Sequence, residues 1–351
     1  MTELVYSDLE VPATVFSMAF HPTEQILAVG CIDGSCSLFR VKALPESSEL
    51  IFTFKCHNRA VRCLSFTANG DYLLTAGSSQ SLKLHSVEHL LAGEDNVTWK
   101  KVKAHAAPIS AMLYLGGYLV ITGDDEGTIK MWNLETQMCT MSVKETNEGI
   151  TSLAYEPEQA VLCAGGADGY LYVFDLASKE LLMISENLDD EQQSMLFISR
   201  KDPYLVTGTL EGKINFWKMD QWDLPCNAFH VHPDSVSAII AVTDELYLTG
   251  SSDGLIRVLS FMPNEPLGMI GDHDFPIENL TLNCSKSIVA SSSHGDCVKL
   301  WDTSFLVEEE EEVEETQPEQ LKIVPKKKKR RNNRKKKSKP ISQNSRFFSG
   351  L

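Results

Sequence analysis

The chain has 351 residues, 43% of them hydrophobic and 23% charged, with nine cysteines and a formal net charge of −16. That composition describes a globular protein with ample core. No apolar run approaches the roughly 18 residues of a membrane span or follows a basic leader, so a soluble, intracellular protein without membrane contact is expected. The cysteines are odd in number and scattered, with no C-x-x-C pair, which argues for reduced thiols packed as small hydrophobes and against a zinc site or disulfide framework.

In chain order, one phrase returns seven times. The first copy runs Val15-Phe16-Ser17-Met18-Ala19-Phe20, then His21-Pro22-Thr23-Glu24, then Ile26-Leu27-Ala28-Val29-Gly30, then the Asp33-Gly34 turn and Ser35-Cys36-Ser37-Leu38-Phe39. The same order of apolar run, break and apolar run recurs at 61–77 and 150–165. Short β-branched and aromatic runs divided by Pro, Gly, Asn and Asp read as consecutive antiparallel strands. The aligned last positions are Phe39, His85, Trp132, Phe174, Trp217, Leu259 and Trp301, spaced 46, 47, 42, 43, 42 and 42 residues apart. A period in the forties, with a turn at a fixed offset before an aromatic, signals four-stranded propeller blades. The predicted fold is all-β, a seven-bladed β-propeller over residues 1–307.

Within the copies the residues resemble WD repeats, in which a His, a Ser or Thr, an Asp and a Trp at set offsets can bond within one blade. The histidines are His57, His105, His232 and His273, and the hydroxyls Thr75, Thr122, Thr207, Thr249 and Ser291. The acids six residues before the last position are Asp33, Glu126, Asp168, Glu211 and Asp253, and the tryptophans Trp132, Trp217 and Trp301. On this alignment no blade carries the whole set: blade 3 has Glu126 for Asp, blade 6 has Leu259 for Trp, and blade 7 has Gly295 at the acid position. Blade stability is then expected to rest mainly on apolar packing. Because the histidines recur at repeat offsets, they read as structural. No nucleophile motif, paired carboxylate or metal-spaced cluster stands outside the repeats, so no catalytic residue, metal, cofactor or small-molecule substrate is expected.

After Trp301-Asp302 too little chain remains for an outer strand in blade 7, and Leu4-Val5-Tyr6-Ser7 is predicted to supply it, closing the ring and removing its open edges.

The net charge hides a split. Residues 1–307 hold 19 Lys and Arg against 40 Asp and Glu, near −21, whereas the last 44 residues are near +5. Seven glutamates fall within 308–315, in a linker spanning 308–325. A basic tail, 326–351, follows, with Lys326, Lys327, Lys328, Lys329, Arg330, Arg331, Arg334, Lys335, Lys336, Lys337 and Lys339. Such blocks cannot bury a core and are expected to be disordered. Lysine-rich segments serve as import signals and phosphate binders, so an import receptor and RNA are the expected partners of the tail. Phe347 and Phe348, with Leu351, form a possible docking motif, since adjacent aromatics in a polar tail are costly to leave in water.

The segments Ala104-His105-Ala106-Ala107-Pro108-Ile109-Ser110, Thr249-Gly250-Ser251-Ser252-Asp253-Gly254 and Pro276-Ile277-Glu278-Asn279-Leu280, with Lys299-Leu300-Trp301-Asp302, the basic tail and Phe347-Phe348-Ser349-Gly350-Leu351, resemble the WD repeat-containing protein 55 family. The resemblance covers nearly all of 10–302 and is weakest in blades 2 and 5. It implies a nuclear, chiefly nucleolar scaffold supporting ribosomal RNA processing and subunit production, bound to pre-ribosomal proteins and ribosomal RNA. An acidic body suits basic partners. Two other readings stay open, a ubiquitin-ligase substrate receptor and a histone or chromatin reader. The first is disfavoured because Trp301-Asp302 is followed by Thr303-Ser304, without the Arg many such receptors carry two residues after the Asp.

Overall fold

Each sequence copy forms a four-stranded antiparallel sheet, and seven such sheets stand side by side. The computed structural model describes residues 6–307 except 199, 201 and 296; the linker 308–325 and the tail, with the eleven cations of 326–339 and with Phe347, Phe348 and Leu351, lie outside the described residues. Blade 1 runs outward from Val15–Phe20 through Ile26–Cys31 and Ser35–Arg40 to Glu49–Lys55. The innermost strands of the next six blades are Val61–Phe66, Ile109–Gly116, Ile150–Glu156, Gln192–Ile198, Val236–Ala241 and Ile277–Leu282.

Burial follows position in the blade. Second strands such as Ile26–Cys31, Val161–Gly166 and Ile288–Ser293 are buried at every residue, because both faces lie against neighbouring blades. Outer strands such as Met138–Lys144 are mostly exposed. The apolar cores therefore sit between blades: Ile121 and Met131 of blade 3 pack with Leu153, Leu162 and Phe174 of blade 4. The approach is close. A Cβ on Gly123 would lie 2.7 Å from the Ile150 side chain, and one on Gly127, a turn residue at φ 81°, would lie 2.5 Å from the Thr146 carbonyl oxygen.

Near the axis, a side chain at the start of the inner strand donates to the next inner strand in six of the seven blades. Ser17 Oγ donates to the Val61 carbonyl at 2.9 Å, Ser110 Oγ to Ile150 at 2.6 Å, Ser152 Oγ to Gln192 at 2.9 Å, and Ser194 Oγ to Val236 at 2.8 Å. Cys63 Sγ reaches the Ser110 carbonyl at 3.4 Å, and Asn279 Nδ2 spans from blade 7 to the Phe16 carbonyl at 3.1 Å. Between blades 6 and 7 the corresponding residue is Ala238, which has no donor.

The outer strand of blade 7 is Tyr6–Glu10, paired antiparallel with Cys297–Asp302 so that Tyr6 faces Trp301. Tyr6 and Ser7 of the predicted closing segment are in this strand, which continues to Glu10; Leu4 and Val5 lie outside the described residues. The register is set by Leu9, buried with Val298 and Leu300 in the core between blades 7 and 1, and by Tyr6, whose ring centroid is 5.3 Å from that of Trp301.

The antiparallel order sorts the connections onto two faces. Loops entering inner strands and turns between second and third strands gather on one, the upper face. Loops from first to second strands and from third to outer strands gather on the lower face. The chain leaves blade 7 on the lower face through a helical turn at 304–307, with Leu306 buried among blade 6 and 7 residues.

Candidate functional site

Blade 3 shows how the polar residues of a repeat are used. Trp132 Nε1 donates to Thr122 Oγ1 at 2.9 Å, Thr122 Oγ1 lies 2.7 Å from His105 Nε2, and His105 Nδ1 lies 2.8 Å from Asp124 Oδ2. This order places the imidazole proton on Nδ1, so each donor has one acceptor. Asp124 also accepts the amides of Glu126 and Thr128. Burial alone would raise its pKa, but the bonds from His105, Thr128 and Glu126 outweigh it and hold the carboxyl below its usual value. The expectation that no blade carries a full set is therefore corrected. Blade 3 is complete, with Asp124 in the acid's role, and Glu126 is exposed.

The other blades substitute. In blade 2, His57 bonds Thr75 at 2.8 Å and Ser79 at 2.6 Å, while His85 takes the tryptophan's place and lies 3.1 Å from Asp95. In blade 4, Asp168 accepts from Thr146 at 2.6 Å and Tyr172 at 2.7 Å, Thr146 standing at the histidine offset. In blade 5, Trp217 donates to Thr207 at 3.2 Å, and Thr207 donates to the buried Gln192 at 2.6 Å. In blade 6, His232 bonds Thr249 at 2.8 Å, but Arg257 stands between His232 and Asp253, 2.6 Å from the carboxylate. In blade 7, His273 and Trp301 each lie 2.7 Å from Ser291. Of the predicted positions, the structure brings together His105, Thr122 and Trp132, joins His273 to Trp301 through Ser291, pairs His57 with Thr75 and Trp217 with Thr207, and links His232 to Thr249 directly and to Asp253 through Arg257. Gln192, Thr146, Asp124 and Arg257 were not singled out by offset from the aromatic.

These side chains are spent inside blades. Recognition chemistry is concentrated on the upper face, where loops and turns of blades 3 to 5 bring together Asp125, Glu126, Glu145, Glu148, Glu186, Asp189 and Glu211, all exposed. Asp168, Asn187, Asp189, Asp190, Glu191 and Glu211 line a cavity of about 310 Å³ between blades 4 and 5. Asp190 is only 6% exposed; its Oδ1 accepts the Glu211 amide, and Lys213 Nζ lies 3.6 Å from its Oδ2. Phe16, Ile32, Leu210 and Phe275 add exposed apolar side chains, 38–56% accessible, to the same face. The seam of blades 1 and 2 differs: Lys55, Lys83 and Lys100 line a cavity of about 420 Å³, and Arg62 of blade 2 is paired to both oxygens of Asp125 at 2.8 Å. Fixed carboxylates beside apolar groups suit a basic, partly apolar protein segment.

The WDR55 family model matches residues 6–306, essentially the whole propeller. The chain belongs to the WDR55 family. Among similar proteins, the WD repeat-containing protein 55 homolog of Drosophila yakuba is 30% identical over 298 residues, covering 85% of this chain and 58% of the relative. That of Drosophila persimilis is 31% identical with the same coverage. The Dictyostelium discoideum homolog is 29% identical over 308 residues, 88% of this chain and 73% of its own length. The chain thus matches about three-fifths of the length of the Drosophila WDR55 relatives.

Proposed function

We propose that this WDR55-family chain is a non-enzymatic scaffold of nucleolar ribosome assembly. Its upper face holds basic segments of pre-ribosomal proteins. The cations of 326–339 serve nuclear import, nucleolar retention and contact with ribosomal RNA. The observation that carries this reading is the carboxylate crescent of blades 3 to 5, set beside exposed Leu210 on a closed ring of seven blades. An acidic body repels nucleic acid, so RNA contact is assigned to the oppositely charged tail. The family resemblance supports the nucleolar setting.

The test is sedimentation of the full chain with pre-ribosomal particles from nuclear extract. Co-sedimentation is expected at low salt and should weaken as salt rises. If six tail cations met phosphates of single-stranded RNA, log affinity would fall with log salt at a slope of about −4. Replacing the eleven cations with Gln should reduce RNA-dependent association. Replacing Glu186, Asp189, Glu191 and Glu211 with neutral amides should reduce capture of basic proteins. Absence of the intact chain from every pre-ribosomal fraction overturns the proposal, and recovery of a ligase adaptor or histones in place of pre-ribosomal proteins selects the other readings.

A further inference from the structure

The lower face carries a cavity of a different kind. At the seam of blades 2 and 3, about 590 Å³ is walled by Tyr72, Leu84, Trp99, Tyr114, Tyr118 and Leu134. Tyr114 donates its hydroxyl to the Gly117 carbonyl at 2.5 Å, and Tyr118, 57% exposed, stands at the mouth. The charged residues of the lining are Asp71 and Glu135, both exposed carboxylates, with no lysine or arginine among them. This volume falls in the range that encloses a compact ligand. Aromatic walls favour aromatic occupants through offset and edge-to-face contacts. A carboxylate rim favours an occupant with a cation beside its rings.

We propose that this cavity receives Arg346-Phe347-Phe348 of the same chain. The segment has the required chemistry: two adjacent phenyl groups to fill an aromatic cavity and a guanidinium next to them to meet Asp71 or Glu135. The glutamate run 308–315 is repelled by that rim, and the block 326–339 has no apolar side chain to fill the interior. The chain leaves the propeller on the face that bears the cavity, since Leu306 is anchored at the lower end of the blade 6 and 7 core. About 40 residues separate Val307 from Phe347. Extended, they reach up to about 130 Å, whereas a globule of this length is roughly 50 Å across, so the tether spans the face. Tethering supplies the segment at an effective concentration of the order of millimolar or somewhat below, so a contact too weak to hold separate molecules together still fills the site.

The test uses a labelled peptide of residues 340–351, titrated by fluorescence anisotropy into the full chain and into the full chain carrying Phe347→Ala and Phe348→Ala. The substituted chain should bind the peptide at least tenfold more tightly, because the tethered competitor has been removed. Adding Tyr118→Ala to that variant should abolish binding, and adding Glu135→Lys should weaken it several-fold by opposing Arg346. Both positions lie on exposed turns and tolerate substitution without loss of fold, which an unchanged circular dichroism spectrum verifies. Equal affinity for the two chains, binding indifferent to Tyr118→Ala, or no peptide binding at all overturns the proposal. A dimer seen by light scattering that Phe347→Ala and Phe348→Ala dissolve moves the docking to a second copy and overturns it equally.

Discussion

Blades 3 and 7 hold the same histidine, hydroxyl and tryptophan in the same arrangement, and of these two only blade 3 completes it with a carboxylate. In blade 7, where Ser293 stands at the place of Asp124 and Gly295 at that of Glu126, His273 has Lys299 nearby; burial foremost, and then that charge, push its pKa down to about 4 despite Asp272 and Asp274. In blade 3 the buried His105 Nδ1 is matched to Asp124. The repeat thus tolerates loss of the acid because neutral imidazole still bonds its hydroxyl. What a blade cannot tolerate is a charged imidazole without a partner.

The largest expected effect is that of acid. His57 and His232 share the behaviour of His273, each pushed down to about 4 by burial first, then by Lys83 in blade 2 and Arg257 in blade 6. A folded-state pKa below the ordinary 6.5 means that the unfolded chain takes up the proton first. The stability these histidines contribute is intact above pH 6.5 and is lost as pH falls from 6.5 toward 4, where the loss levels off. One fully shifted group changes stability by up to about 1.4 kcal/mol per pH unit. Allowing for solvent screening, each of the three costs on the order of 2 kcal/mol by pH 4. Urea unfolding between pH 7 and 4 measures the slope. His273→Gln should reduce the slope by about a quarter, because burial also holds His85 below its ordinary value, while keeping the hydroxyl bond, since blade 5 already uses Gln192 in this way. A slope that His273→Gln leaves unchanged would show that blade 7 does not contribute.

Removing the carboxylate that distinguishes blade 3 is the next largest change. Asp124→Ala leaves His105 Nδ1 and the amides of Glu126 and Thr128 without their acceptor in a buried site, which is expected to cost about 2–3 kcal/mol. A cost below about 0.5 kcal/mol would mean that water or a neighbouring group replaces Asp124, and that blades 3 and 7 are energetically alike.

The seven-fold architecture was legible because the period, the turns before each aligned position and the shortage of chain after Trp301 all constrain the same ring. Individual polar partners were less so. Offset from the aromatic finds the histidines, but not which acid reaches one. Asp124 closes the buried strand Leu119–Asp124, whereas Glu126 follows on the exposed turn, a difference of two residues that only the strand end settles. Gln192 escaped notice because the loop before it, 185–191, displaces the usual histidine segment and leaves a strand residue to take its place. The charge of the body was plain from composition. Its gathering on blades 3 to 5 depends on which loops share a face, and the lower-face cavity depends on Tyr72 and Trp99, from two strands of blade 2, meeting Tyr118 from a turn of blade 3.

The smallest expected effect gives the sharpest comparison between the two candidate acids. Glu126 is exposed, and its side chain makes no hydrogen bond among the described residues, so Glu126→Asp should change stability by less than about 0.5 kcal/mol, even though it restores the repeat's preferred acid. The position is the one from which Asp168 and Asp253 serve blades 4 and 6, but in blade 3 the partner of His105 is already supplied. Once Asp124→Ala vacates that place, an aspartate at 126 has a histidine to reach. The double variant should therefore be more stable than Asp124→Ala alone, with an interaction energy of about 1 kcal/mol in a double-mutant cycle. Strict additivity would mean that the backbone of this turn, and not prior occupancy by Asp124, keeps residue 126 away from His105.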